Sequence, residues 1–146
     1  NVVASDWRYL PARRLALCAV QSILEGTRWL LMAHNGERSW RLARGQVEAF
    51  LETFAQEGAF HVPEGQQPYF VVCDARLNDA QAIAAGRVSL LFGYAASKPG
   101  EYHAFVVTHR TGASQVRSAT VNRLATSGMR VEEEIETALL RGLASA

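Results

Sequence analysis

The chain has 146 residues, of which 49% are hydrophobic, enough for one domain with a real core and too few for two comfortable ones. Lys and Arg number 15 against 14 Asp and Glu, a formal net charge of +1, so the chain has no basic field of the kind that draws nucleic acid. Two cysteines lie far apart without CxxC spacing, which fits a reduced intracellular setting, and no apolar run approaches the ~20 residues that span a bilayer, so a soluble protein without a membrane partner is expected. The sequence opens at Asn1 rather than Met, as an excised domain or a processed form would.

Pro11 opens a run in which Leu15, Ala19, Val20, Ile23 and Leu24 recur at helical spacing, and Gly26 is a natural stop. The stretch from Thr27 to Met32 is too brief for periodicity to decide and reads as a buried connector or a short strand, followed by a turn at Asn35-Gly36. Ser39 is placed to cap a second helix. Its Trp40, Ala43, Val47, Phe50, Leu51 and Phe54 form one apolar stripe, with Arg41, Arg44, Glu48 and Glu52 turned outward and Gly58 as the end. Pro63, Gly65 and Pro68 make a loop.

The period then changes. Tyr69 to Cys73 is rich in aromatic and β-branched residues, and Arg87 to Tyr94 alternates so that Val88, Leu90, Phe92 and Tyr94 share a face. Between them Asn78-Asp79 can cap a short helical turn through Ala80, Ala82 and Ile83, which Gly86 breaks. After Lys98-Pro99-Gly100, Tyr102 to His109 gives a further strand, with Tyr102, Ala104 and Val106 opposite His103, Phe105 and Val107. Bulk on both faces implies a strand covered on each side, or one whose second face meets another subunit.

From Thr111 to Gly128 the residues turn small and polar, with Val116, Val121 and Leu124 as the large apolar anchors, and the segment reads as an extended arm. A last amphipathic helix is expected from Val131, with Val131, Ile135, Leu139 and Leu143 in a stripe and acidic residues in its first turns, favourable to the helix dipole. Its stripe must be buried against its own domain or a neighbouring subunit, and the polar linker favours the neighbour. The expected class is therefore α+β: a mainly antiparallel sheet of about three to four strands packed with two N-terminal helices over residues 1–112, followed by an arm and helix over 113–146.

Residues that carry chemistry are sparse. His34, His61, His103 and His109 include no helical i, i+4 metal pair; His103 and His109 share a strand face but stand roughly 20 Å apart, and surface or edge positions suit all four. Cys73 within an apolar strand reads as core packing, and Asp74 and Glu101 as strand-end acids that accept backbone or Arg hydrogen bonds. No glycine-rich phosphate loop is formed, and no cofactor or metal is expected. Arg8, Arg13 and Arg14 cluster at the start of the first helix, where the dipole does not favour them, and Trp7 stands beside them; aromatic and Arg mixtures are common in protein contact patches.

In order along the chain come Trp7-Arg8-Tyr9, Arg13-Arg14-Leu15, Gly26-Thr27-Arg28-Trp29, Gly58-Ala59-Phe60, Phe70-Val71-Val72-Cys73-Asp74 and Pro99-Gly100-Glu101-Tyr102. Over residues 5 to about 112 this collinear pattern resembles the C-terminal domain of contractile phage tail sheath proteins. The chain departs from the family at Met32-Ala33-His34-Asn35, where a Phe-Glu-Pro-Asn-like turn is usual, and continues past Thr111-Gly112, where such domains commonly end.

The resemblance implies a non-enzymatic structural subunit that packs with other sheath subunits around a tail tube protein, assembled in the bacterial cytoplasm and carried in the virion tail, with terminal arms that add strands to neighbouring sheets. On that reading Trp7, Arg8, Arg13 and Arg14 supply charged and aromatic contacts and Val116, Val121 and Leu124 strand exchange; the helix from Val131 has no counterpart in the family, and a contact through Ile135 and Leu139 rests on its amphipathic pattern alone. Two alternatives stand beside it: a small ligand-binding or thiol-enzyme domain using a cleft near Cys73 and Asp74, and an adaptor that caps a sheath end.

Overall fold

A computed structural model describes residues 11–60, 67–95 and 101–122. Within them the chain is α+β, with three α-helices and a four-stranded antiparallel sheet. Helix α1 spans Ala12–Gly26 and follows Pro11, whose extended backbone and missing N–H suit a helix start; Leu15, Ala19 and Ile23 form its buried stripe. Residues Arg28–Leu31 form a single 3-10 turn, which buries Leu30 and joins α1 to α2. This settles the connector that the sequence left undecided: four residues between two helices hold too little periodicity to distinguish a tight helical turn from a strand.

Helix α2 spans Glu37–Gln56 and buries Trp40, Ala43, Val47, Leu51 and Phe54, with Phe50 at the margin of the stripe. It starts two residues before Ser39, at an extended Gly36, so Ser39 lies inside the first turn instead of capping it. Asn35 fixes this corner from outside the helix. It donates to the carbonyl of Arg87 and accepts from the Trp40 indole N–H, both at 2.8 Å, tying the entry of α2 to the entry of a strand.

The strands are β1 (Tyr69–Val72), β2 (Val88–Ala95), β3 (Glu101–Arg110) and β4 (Ala113–Asn122), hydrogen-bonded in that spatial order with every pair antiparallel. Short α3 (Ala80–Ala84) links β1 to β2, and the Asp79 side chain accepts from the Ala82 N–H as the sequence anticipates. Where β1 stops, the Asn78 side chain takes over its pairing. Its Oδ1 accepts from the Ser89 N–H at 2.7 Å and its Nδ2 donates to the Ser89 carbonyl at 2.9 Å, which satisfies a fully buried amide and the strand beside it together.

Registers Val71↔Phe92↔Phe105 and Val88↔His109↔Ser114 place one residue set on a common face, with Leu90, Tyr94 and Val107. That face meets the helices: Tyr69 donates to Glu52 of α2 at 2.7 Å, and His109 contacts Thr27 at the end of α1. Phe60 stacks on Tyr94 at 4.9 Å, and Phe92 on Phe105 at 5.3 Å. The other face carries Phe70, Val72, Leu91, Ala95, Tyr102 and Ala104, and these too are buried, so β2 and the first half of β3 are covered on both sides.

The segment read as an arm is, as far as Asn122, the fourth strand of this chain's own sheet, paired residue by residue with β3. The division at 112 therefore falls in a tight hairpin turn, where Gly112 has φ 82, a conformation that a side chain would strain. The amphipathic helix expected after it, with Ile135 and Leu139, and the anchor Leu124 lie outside the described residues, as do Trp7 and Arg8.

Gly93 has a packing reason to be glycine. The Phe70 ring crosses it towards Tyr102, and a Cβ at position 93 would stand 2.3 Å from Phe70 Cζ and 3.1 Å from the His103 carbonyl oxygen. An aromatic ring laid over a glycine on the neighbouring strand fills the space that the missing side chain leaves. Gly93→Ala is expected to destabilise the fold by about 1–3 kcal/mol in denaturant melts, because the ring must leave its rotamer or the strands must part. Combining it with Phe70→Leu should cost less than the sum of the two single changes.

Candidate functional site

The predicted contact residues fall in two separate places. Arg13 and Arg14 lie exposed in the first turn of α1, which contains no acidic residue, and no ion pair among the described residues engages them. Their charges face the positive end of the helix dipole, so local helix stability does not account for them. Val116 sits midway along β4 opposite Val107 and is 36% exposed; Val121 lies five residues further along, registered opposite Tyr102. The end of α1 that touches the sheet is Thr27, roughly 20 Å along the helix from Arg13, so the arginines do not share a patch with the β3–β4 turn.

β4 is the outermost strand, ten residues long, and Ala113, Gln115, Val116, Arg117 and Ser118 are all exposed. Among the described residues no strand pairs with the backbone N–H and C=O groups of its outer edge. The opposite edge strand, β1, has four residues and is flanked by α2. The two edges are thus unequal, and β4 presents the longer template.

The candidate thiol site does not come together. Cys73 is buried, and burial first, with the charge of Asp74 next, pushes its thiol up to about 12 against a smaller opposing effect of Arg44. Partial burial raises the Asp74 carboxyl, but the side-chain and backbone hydrogen bonds of Arg76, with the charges of Arg76 and Arg44, outweigh that and hold it below its ordinary value. Arg76 reaches it through Nη2 at 2.7 Å and Nε at 3.1 Å. Asp74 is therefore the strand-end acid that the sequence suggests, engaged with an arginine and a turn N–H instead of a nucleophile. Among the described residues no three His, Cys, Asp or Glu are grouped to hold a metal ion, and no helix is long and apolar enough to cross a membrane.

His109 departs from its expected surface position: it is fully buried. Its Nε2 lies 2.8 Å from Thr27 Oγ1 and its Nδ1 2.9 Å from Ser114 Oγ, so one imidazole joins the end of α1 to β4. Burial first, then the charge of Arg28, lowers its proton affinity. A signal for this was present in the sequence, because His109 is in phase with Phe105 and Val107 on the inward face of β3. Two further buried polar atoms, Tyr94 Oη and Arg87 Nε, have no hydrogen-bond partner among the described residues, and burial pushes the Tyr94 phenol up to about 12.

Comparison with protein-family models, with curated proteins and with solved structures found no match.

A buried, protonated thiol is a poor nucleophile. In the folded protein at pH 8, an alkylating reagent should modify half-buried Cys18 well before Cys73, with Cys73 reacting only after denaturant is added; the modified positions are read by peptide mass mapping.

Proposed function

We propose that this chain is an assembly domain of a contractile tail sheath or a related injection device, with copies of the same chain as its main partners and a tail tube protein inside the array. The observation that carries this reading is the outer edge of β4: a ten-residue rim strand, exposed at Ala113, Gln115, Val116, Arg117 and Ser118, on a sheet in which β2 and the first half of β3 are buried on both faces. Such an edge accepts an extended segment of another subunit by main-chain hydrogen bonding. The collinear motifs from Trp7 to Tyr102 supply the class of assembly.

In mechanical terms the two-sided core keeps each domain rigid, while strand addition at β4 keeps neighbours linked as the array shortens. The exposed arginines of α1 supply a second, charged contact at a distance from β4. A single exposed ion pair contributes about 0–1 kcal/mol, but a contact repeated at every subunit of a polymer acts multivalently. Assembly in the bacterial cytoplasm and residence in the virion tail follow from the same reading.

Replacing Arg8, Arg13 and Arg14 together by Glu separates folding from assembly. Acidic residues in the first turn of α1 suit the dipole, so thermal stability should hold or rise by about 0.3–1 kcal/mol. Association with sheath subunits or tube, measured by sedimentation, should weaken by roughly tenfold or more. Undiminished association would remove the arginines from the contact.

A further inference from the structure

The imidazole of His109 has its proton position fixed by its neighbours. Thr27 has a single hydroxyl proton and gives it to the Ile23 carbonyl at 2.6 Å, so Thr27 Oγ1 accepts from His109 Nε2–H. The neutral ring then has a bare Nδ1, which accepts from the Ser114 hydroxyl at 2.9 Å. Every polar atom in the bridge is satisfied with the ring neutral. The bridge crosses three elements: α1 through Thr27, β3 through His109 and β4 through Ser114.

We propose that His109 is a proton-operated latch that holds the β3–β4 hairpin against the end of α1 and releases the β4 edge when the ring is protonated. A second ring proton puts an N–H on Nδ1, where the Ser114 hydroxyl now donates, so Ser114 must reverse or withdraw. It also places a full charge on a group with no exposed surface. The charged groups around it do not compensate. Arg28 on the 3-10 turn opposes protonation, Arg110 follows on β3, and Arg87 immediately precedes Val88, the β2 partner of His109. On α1 the neighbouring acid Glu25 is exposed and engaged by Gln21; on α2, Glu37 with Arg41 and Glu48 with Arg44 pair among themselves. Arg117 on β4 is an odd number of residues from Ser114 and so belongs to the other face.

The direction follows from linkage. Because the folded ring binds a proton less readily than an ordinary imidazole at 6.5, the latch is fully closed above that value. Its contribution is lost as the pH falls from there towards the depressed native value. β4 is the outermost strand with exposed side chains, so it is the part that opens first. The device is independent of the assembly reading, since it concerns the hairpin of a single chain.

The test is amide hydrogen exchange, corrected for intrinsic rates, between pH 7 and pH 5 on the unaltered protein and on His109→Gln. The expected result is a roughly tenfold or greater loss of protection in β4 and residues 27–32 of the unaltered protein, with β1 and β2 retained, and no such loss in His109→Gln. A uniform loss across the sheet, no loss at all, or the same loss in the variant would overturn the proposal. Should His109→Gln fail to fold, long-range proton–nitrogen NMR of the unaltered protein decides. An Nε2–H tautomer at pH 7, with ring titration that coincides with opening of β4, supports the latch; an Nδ1–H tautomer or a titration that leaves β4 unchanged contradicts it.

Discussion

Burial of β2 and of the first half of β3 on both faces is the constraint from which the rest of the molecule follows. In β2, Ser89 alone is only half-buried, and the register sets Leu90, Phe92 and Tyr94 against the helices while Leu91 and Ala95 face the other way with Tyr102 and Ala104. Strands of this kind must lie centrally, so β1 and β4 become the rims. A polar group caught in the interior must also bring its partners with it. Asn78 does so by taking the place of a strand beside Ser89, and His109 does so by recruiting Thr27 and Ser114.

The rims differ in what they offer. β1 is short, with four residues against ten in β4, and is flanked by α2, so it presents the shorter edge. β4 is long, mostly small or polar in sequence, and exposed at Ala113 and at Gln115, Val116, Arg117 and Ser118, and among the described residues its outer backbone edge has no strand partner. On the proposed reading, this asymmetry would give subunits a direction in which to add. The proposal that copies of this chain build a tail sheath rests on the motif order, and this geometry is compatible with it.

Much of the fold was legible in the sequence where apolar side chains supply the signal. The stripe from Trp40 to Phe54 and the alternation from Val88 to Tyr94 appear in space as their periods imply. The 3-10 turn at Arg28–Leu31 was not legible, because four residues carry no usable period. β4 was misread as an arm because its sequence is mostly small or polar and lacks a clear apolar alternation; the backbone ladder to β3 defines it, and that ladder leaves no hydrophobic trace. His109 was misplaced because residue type suggested the surface while strand phase pointed to the core. Of the candidate contact residues, Arg13, Arg14 and Val116 are exposed, and Val121 is placed by register opposite Tyr102.

The account stands most directly on whether the outer edge of β4 is where copies of this chain meet. Hydrogen exchange of the β4 amides, compared between dilute monomer and concentrated or sheath-assembled protein, addresses this residue by residue. The account predicts that alternate β4 amides, those turned away from β3, gain protection on assembly while β1 does not change. A chain that assembles with its β4 edge exchanging as in the monomer, or that remains monomeric at every concentration and in the presence of sheath subunits, would contradict it.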